Sequence, residues 1–366
     1  MQYIKCPACS QESSYGEKCC PGCNWNFTKD FTSYPIPFLL SDTEIQDFSD
    51  EISLYSGQGR SVVIADSSYD CSCTELDLKG KGLKDEDISV LSKFTNLTFL
   101  DLSENQISDL SPLQNLTSLK ILKLCSNQIS DITPLRNLTS LNQLWIKENQ
   151  LSDLSALSHM TALTQLVLNQ NRIADLSPLK NLRRLTSLWL FENQISDLSP
   201  LQNLTKLTAL NLSQNRIVSV LPLRNLASLT DLYLQTNRIE SIAPLENMRA
   251  LTKLHLHEND ITDITPLRNM KGLKNLSLVS NMIADISPLE NLTSLEELWF
   301  GDNNLTDLSP LRNLTKLTQL WLGNNTITDV SPLRNLTALE KLDLRNNPIY
   351  DYSPLDKLPD GCIIYK

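Results

Sequence analysis

Residues 119–135 read LKILKLCSNQISDITPL and form one unit of a pattern that recurs along most of the chain. The asparagine of each unit shows the period, because successive asparagines are 22 residues apart without insertion. They are Asn105, Asn127, Asn149, Asn171, Asn193, Asn215, Asn237, Asn259, Asn281, Asn303, Asn325 and Asn347. Twelve full units begin at Leu97, and a degenerate unit precedes them at Leu76-Asp77-Leu78. Such a period predicts a solenoid in which each unit is one coil.

Each unit predicts its own local structure. Leucines alternate with other residues in Leu122-Lys-Leu124, which is typical of a short strand whose leucines point inward. Asparagine carries donors and acceptors in one side chain, so it can satisfy backbone groups of neighbouring coils. In Ser111-Pro112, we expect the serine to cap a helical turn and the proline to occupy its first turn. The aspartates that recur two residues before the serine or threonine are interpreted as turn residues.

The stacked units predict an α/β solenoid. One unit alone cannot bury its leucines, whereas stacked units bury them continuously. One strand per coil, at a spacing of about 4.8 Å, gives a parallel sheet roughly 60 Å long. Because the helical turns on the other side are wider than strands, we expect the sheet to form a concave wall opposite short convex helices.

The unit LxxLxLxxNxIxDLSPLxNLTx closely resembles the 22-residue repeat of bacterial internalins and of the phosphatase-regulating leucine-rich-repeat subunit of eukaryotes. The resemblance covers residues 76–360. It implies a right-handed leucine-rich-repeat horseshoe with short helices on the convex side and a protein-binding concave side.

The sequence divides into three predicted regions: a zinc ribbon at residues 1–29, a linker and N-terminal cap at residues 30–75, and the solenoid at residues 76–366. Caps are needed because the open ends of a solenoid expose core and sheet edge. In the N-terminal cap, we expect a helix to begin near Ser41 and Val62-Val63-Ile64 to form a strand. The final half-unit, residues 358–365, is expected to supply a last capping strand.

The strongest local motif pairs Cys6-Pro-Ala-Cys9 with Cys20-Pro-Gly-Cys23. Two such knuckles place four thiolates where a tetrahedral zinc ion binds, and the motif resembles short bacterial zinc ribbons. We expect a structural zinc ion, because a domain of this size buries too little core to fold without one. The alternatives are an iron centre, free thiols or a disulfide pair.

Cys71 and Cys73 lie at the junction between the N-terminal cap and the first coil. Small thiols are commonly buried, so packing is the expected role, with a redox or metal role as the alternative. The cysteines outside the zinc motif follow no regular framework, which favours a reducing compartment.

Variation within the repeat provides the functional signal. The residue between the two strand leucines is expected to face the concave side, and four of the five tryptophans occupy this position. The expected partner-binding residues, including two from the position two residues later, are Trp145, Trp189, Phe191, Tyr233, His255, His257, Trp299 and Trp321. Exposed aromatic residues are typical of binding hot spots. The alternative is that they only pack on side chains of neighbouring strands.

Other motifs point away from catalysis. His255 and His257 share one face and could supply two metal ligands, but we expect them to belong to the binding face. The sequence contains no phosphate-binding glycine loop, nucleophile elbow or metallohydrolase motif. We therefore expect no catalytic residues.

The formal net charge of −10 argues against general binding to nucleic acid or anionic lipid. The first residues contain no apolar run, and no segment approaches the length needed to span a bilayer. These features predict a cytoplasmic protein, which we expect to be a monomer.

Two functional hypotheses follow. The first is a non-catalytic scaffold or adaptor that recognises a protein partner on its concave aromatic face. The alternative is a nucleic-acid-associated regulator in which the zinc ribbon, with Lys5, Lys18 and Lys29, contacts RNA or DNA and the solenoid is an effector arm.

Overall fold

The computed structural model describes residues 3–5, 12–14 and 61–366. The chain divides into two compact units, Met1–Gly59 and Arg60–Lys366. In the first unit, β1 (Tyr3–Lys5) pairs antiparallel with β2 (Glu12–Ser14), with Tyr3 opposite Ser14. The four proposed zinc ligands and the helix expected near Ser41 lie outside the described residues.

A β-hairpin precedes the repeats in the second unit. Strands β3 (Ser61–Ile64) and β4 (Ser67–Asp70) pair antiparallel through a two-residue turn. Ala65 and Asp66 both have positive φ, at 48° and 62°, which matches the twist of the flanking strands. Alternation along β3 buries Val62 and Ile64 in the same apolar core as the repeats. The strand expected at residues 62–64 is confirmed, but its antiparallel partner β4 was not predicted.

The repeats form one parallel sheet of fourteen strands in sequence order, as predicted. The strands are β5 (Glu75–Asp77), β6 (Phe99–Asp101), β7 (Ile121–Lys123), β8 (Gln143–Trp145), β9 (Gln165–Val167), β10 (Ser187–Trp189), β11 (Ala209–Asn211), β12 (Asp231–Tyr233), β13 (Lys253–His255), β14 (Asn275–Ser277), β15 (Glu297–Trp299), β16 (Gln319–Trp321), β17 (Lys341–Asp343) and β18 (Ile363–Tyr365). The register is constant: Leu188 lies opposite Leu166 on one side and Leu210 on the other. Residues 358–365 supply the last strand, β18, as expected.

Short helical turns return the chain from one strand to the next. After the single α-helix of residues 61–366, α1 (Asp85–Ile88), all of them are 3-10 helices of three or five residues. They are Ser89–Lys93, Ser111–Leu113, Thr133–Asn137, Ser155–Leu157, Ser177–Leu179, Ser199–Leu201, Leu221–Asn225, Ala243–Leu245, Thr265–Asn269, Ser287–Leu289, Ser309–Leu311, Ser331–Asn335 and Ser353–Lys357. Within the same residues, no helix is long and apolar enough to cross a membrane.

The start of these helices differs from the sequence prediction. Ser111 is the first helical residue, and Leu110, which occupies the capping position, forms no side-chain capping hydrogen bond. Instead, the Asp109 carboxylate accepts hydrogen bonds from the Ser111 backbone N–H at 2.8 Å and hydroxyl at 2.7 Å. The capping role assigned to serine is therefore wrong. The recurring aspartate takes that role because its carboxylate accepts two bonds, from the backbone and from the hydroxyl.

The asparagines tie consecutive coils together. The Asn215 side-chain amide donates to the carbonyl oxygens of Leu190, Leu212 and Ser213 at 3.0 to 3.1 Å. Its carbonyl oxygen accepts the backbone N–H of Ile195 at 3.0 Å. The same arrangement recurs at the other asparagines, for example at Asn281. The predicted use of asparagine on neighbouring backbone groups is confirmed.

Candidate protein-binding face

One side of the fourteen-stranded sheet packs on the leucine core, and the other side is called here the open face. In every strand from β5 to β17 the central residue is buried and its two neighbours point the opposite way, as in Gln165–Val167. The open face therefore consists of positions that the core does not use. All eight aromatic and histidine residues singled out from the sequence have positions on it, and all are partly exposed.

Four of these side chains form a continuous row of ring contacts, called here the ring ladder. Trp189 and Tyr233 have ring centroids 5.9 Å apart, Tyr233 and His255 5.0 Å, and His255 and Trp299 6.1 Å. The ladder crosses from β10 to β15. The sequence had suggested two aromatic clusters separated by histidines, whereas His255 joins Tyr233 to Trp299 directly.

A second ring contact lies at the C-terminal end of the open face. Trp321 stacks on Tyr365 with centroids 6.0 Å apart and planes 21° apart. Tyr365 was not identified from the sequence. The available signal was the period itself, because 22 residues after Asp343 is Tyr365 and the two are opposite one another in β17 and β18.

The rings pack on one another and also remain partly exposed. Lateral packing, which the sequence left as an alternative to ligand contact, therefore takes place on this face. It does not seal the face, since Trp189, Tyr233 and Trp299 keep accessible surface. A pre-packed, partly exposed aromatic surface loses little side-chain entropy on binding.

The indole N–H groups differ in their partners. Trp189 donates to the Ser187 hydroxyl at 2.7 Å, within its own strand. The Nε1 atoms of Trp145 and Trp321 are buried without a hydrogen-bond partner among the residues that the structure describes. Buried donors of this kind are uncommon in folded proteins, and here both lie on the open face.

The pattern of leucine-rich repeats matches the chain throughout this region. A two-repeat pattern of that family matches residues 117–159, 161–203, 205–247, 249–291 and 293–335, and a single-repeat pattern matches residues 96–116. Together these matches cover more than half of the chain. The chain belongs to the leucine-rich-repeat family.

Solved structures agree with this assignment. The leucine-rich-repeat chain is similar to the internalin InlF from Listeria monocytogenes, with 34% identity over 87% of this chain and 94% of that one, and a TM-score of 0.79. The internalin likeness expected from the sequence is confirmed. A search of the curated proteins found no match.

More distant structures share the fold alone. The functional domain of InlJ from Listeria monocytogenes is 24% identical, over 80% of this chain and 73% of that one, with a TM-score of 0.59. The plant peptide hormone receptor RGFR1, solved in complex with RGF2, is 22% identical, with a TM-score of 0.63. The match covers 76% of the leucine-rich-repeat chain and 52% of the receptor chain.

The two histidines of this leucine-rich-repeat protein favour their neutral forms. Burial lowers the pKa of His255, and the nearby His257 and Lys253 lower it further. Burial also lowers the pKa of His257, against the opposing effect of Glu258. His257 Nδ1 lies 3.1 Å from the Ser277 hydroxyl. Among residues 61–366, no group of three or more His, Cys, Asp or Glu side chains is placed to hold a metal ion.

The cysteines among residues 61–366 are free thiols. Cys71 and Cys125 are buried, and Cys73 and Cys362 are half-buried. Burial raises the pKa of the Cys71 and Cys73 thiols, with Asp70 adding to the effect, so both favour the uncharged form. Cys71 belongs to the apolar core and Cys73 packs against it, which favours the packing role. Cys6, Cys9, Cys20 and Cys23 cannot be placed, since they lie outside the described residues.

Proposed function

We propose that this leucine-rich-repeat protein is a non-catalytic scaffold that binds a protein partner on the concave, open face of its sheet. The supporting observation is the ring ladder, a partly exposed row of Trp189, Tyr233, His255 and Trp299 at positions unused by the core. Aromatic residues on a rigid sheet provide contact area at a small entropic cost. The proposed contact residues also include Trp145, Phe191, His257 and Trp321.

The fold supports a binding role. Leucine-rich-repeat proteins are protein-interaction scaffolds, and a similar fold occurs in the plant peptide hormone receptor RGFR1, solved in complex with RGF2. That complex concerns the receptor itself. For the present chain it supports the class of function, and the face is proposed from the chain's own aromatic residues.

The test removes two indoles from the open face. In the Trp189→Ala/Trp321→Ala protein, we expect the solenoid to stay folded, because neither residue belongs to the leucine core. We expect capture of the partner from native cell extract to weaken by about tenfold or more, the scale of hot-spot residues. Circular dichroism and thermal unfolding check the fold, and quantitative pull-down measures capture.

Tyr350→Ala is the matched control. It also removes an exposed aromatic side chain, but Tyr350 lies in the loop after β17 and is 92% exposed. We expect this variant to capture the partner as the wild type does. Undiminished capture by the double tryptophan variant would contradict the proposed face.

We further propose that Cys6, Cys9, Cys20 and Cys23 hold one structural zinc ion. The support is the spacing of the two Cys-x-x-Cys motifs. Metal analysis of the full chain should find one zinc per molecule, and less than half that amount in Cys6→Ser/Cys9→Ser. A cytoplasmic location and a monomeric state remain predictions from the sequence.

A further inference from the structure

Near the N-terminal end of the open face, a lysine of the chain itself lies between aromatic rings. The Lys123 ammonium is 4.9 Å from the Trp145 ring centroid and 5.3 Å from that of Phe99. The same ammonium lies 3.6 Å from the Asp101 carboxylate. Ring, cation and carboxylate thus form a complete set, in which the ring face and the carboxylate both attract the cation.

The C-terminal end repeats this set with an arginine. The Arg345 guanidinium lies 5.3 Å from the Tyr365 ring centroid, and it donates to both oxygens of Asp343 at 2.6 and 2.9 Å. Tyr365 in turn stacks on Trp321. Both ends of the open face therefore show an aromatic ring occupied by a cation that a carboxylate also holds.

The middle of the open face has rings and carboxylates, and the one lysine of strands β10 to β15, Lys253, pairs with Asp231 and does not lie over a ring. Across the part of the chain that the structure describes, no lysine or arginine lies over the ring ladder. Trp299 is followed by Asp302 and preceded by Glu297, which lies on the same strand face. His255 is followed by Glu258. None of these three carboxylates forms an ion pair within residues 61–366, although Glu258 accepts a hydrogen bond from Thr236 and Asp302 one from Asn324.

Neighbouring cations do not fill this position. Lys253 pairs with Asp231 at 3.6 Å, and Lys274 pairs with Glu296 at 2.9 Å. Arg216 and Arg238 are exposed in the loops after β11 and β12 and form no ion pair within residues 61–366.

We propose that the middle of the open face binds lysine or arginine side chains of an extended segment of the protein partner. This inference rests on the proposed function and names the chemistry of the partner. The cationic groups lie over the ring ladder, near Trp299 and His255, and pair with Glu297, Asp302 and Glu258. The partner's cations thereby form with these rings and carboxylates the same arrangement that Lys123 and Arg345 form at the two ends of the open face.

The dimensions define the segment. The ring ladder spans the five strand intervals from β10 to β15, or about 24 Å at the usual strand spacing. An extended chain covers this length with about seven residues. Alternate residues of such a segment point to the same side, so lysines at every second position can all face the rings.

The test measures binding of the full chain to a fluorescently labelled heptapeptide of alternating serine and lysine. A second heptapeptide has the same sequence with acetylated lysines, and a third has glutamate in place of lysine. Fluorescence anisotropy at low and physiological salt gives the affinities. We expect the lysine peptide to bind at least about tenfold more tightly than the acetylated one, since acetylation removes both the ion pair and the cation–ring contact.

Two double variants carry the same change of net charge on different sides of the coil. Glu297→Gln/Asp302→Asn removes the carboxylate on the strand face of Trp299 and one in the turn after that strand, whereas Glu246→Gln/Glu290→Gln removes exposed carboxylates at the ends of two 3-10 helices. We expect the first to weaken lysine-peptide binding by about fivefold or more and the second to change it by less than about twofold. Trp299→Leu should weaken binding by about threefold or more, through the lost ring.

Several results would overturn the inference. They are equal binding of the lysine and acetylated peptides, preference for the glutamate peptide, equal weakening by the two double variants, or no binding of the lysine peptide at millimolar concentration. If partner capture nevertheless depends on Trp189 and Trp321, the binding face stands and only the cationic character of the partner is wrong. If the peptide binds as expected and capture does not depend on those indoles, the proposed function fails instead.

Discussion

At the scale of single residues, asparagine and its neighbour shape each turn after a strand. The residue before each repeat asparagine has a φ between 50° and 59°, although none of the twelve is glycine. Non-glycine residues rarely adopt this conformation because of steric strain. Asparagine offsets that strain by donating to backbone carbonyls of its own coil and of the previous one, as Asn215 does.

The Asn215 side chain should therefore be essential to stability. We expect Asn215→Ala to lower the free energy of unfolding by roughly 2 to 3 kcal/mol, because the Ile195 N–H loses its acceptor and three carbonyl groups each lose one of their two donors. Urea unfolding followed by circular dichroism measures the change. Asn203→Ala, at an exposed position of the preceding coil, is the control and should change stability by less than about 0.5 kcal/mol. Equal effects of the two variants would show that the hydrogen bonds of Asn215 are dispensable.

Residue types alone predicted which side chains are buried and which face solvent. The leucine alternation placed Leu188 and Leu210 in the core, and it placed Trp189 and Tyr233 on the open face. It could not predict ring contacts, because Trp189 reaches Tyr233 across the intervening strand β11. Side-chain rotamers decide that contact, and they depend on neighbours that a single unit of sequence does not contain.

At the scale of elements, the strand and the return turn differ in how well sequence predicts them. An alternation with a period of two predicted every strand of the sheet from β6 to β17, because two apolar residues two positions apart are typical of a strand with one face on the core. The return turns were predicted as helical but are 3-10 helices, and the one at Ser111 begins one residue earlier than expected, because the serine is its first residue and not its cap. The difference arises because Asp109 accepts both the backbone N–H and the hydroxyl of Ser111, and a charged acceptor forms the stronger bond, so the hydroxyl donates to Asp109 and does not cap the turn.

The aspartate that begins each turn should make stability depend on pH. The backbone N–H and hydroxyl of Ser309 bind Asp307 and lower its pKa. A lowered pKa means that its stabilisation is present above the usual carboxyl range of about pH 4 and is lost as pH falls below it. We expect wild type to be more stable than Asp307→Asn at pH 7, and the difference to shrink on acidification.

Thermal unfolding at a series of pH values measures this difference. Asp360→Asn is the control, because Asp360 accepts no hydrogen bond from the residues that the structure describes. Its stability should follow that of the wild type at every pH. A gap between wild type and Asp307→Asn that stays constant from pH 7 to pH 3 would argue against the carboxylate as the source.

At the scale of the whole solenoid, each coil contacts mainly its neighbours. The number of coils can therefore change without changing the register between adjacent strands. The sequence predicted the order of all fourteen strands, because a fixed period allows only consecutive stacking. It did not predict β4 of the N-terminal hairpin, since Ser67–Asp70 lies outside the period and is largely exposed. The zinc ribbon stays a prediction.

Removing two whole coils should leave a folded solenoid. Deletion of residues 205–248 removes two repeats and joins Leu204 to Arg249 in phase. We expect cooperative unfolding with a urea m-value reduced in proportion to the residues lost, since m follows the surface exposed on unfolding. Partner capture should fall, because Tyr233 is removed and the ring ladder is shortened.

Deletion of residues 205–237 is the control, because it joins Leu204 to Arg238 out of phase and misplaces the leucines of the next coil. We expect this shorter deletion to be the more damaging of the two in circular dichroism and urea unfolding. A folded out-of-phase protein, or an unfolded in-phase one, would contradict the nearest-neighbour view of the solenoid.

The asparagine bonds also have a direction. Asn237 binds backbone groups of Leu212 and Ile217, in the coil before its own, and the other asparagines do the same. Each coil is thus completed by the one synthesised after it. During synthesis on the ribosome, the growing chain can therefore fold from its N-terminal end. Each coil forms its last hydrogen bonds once the next repeat has been made.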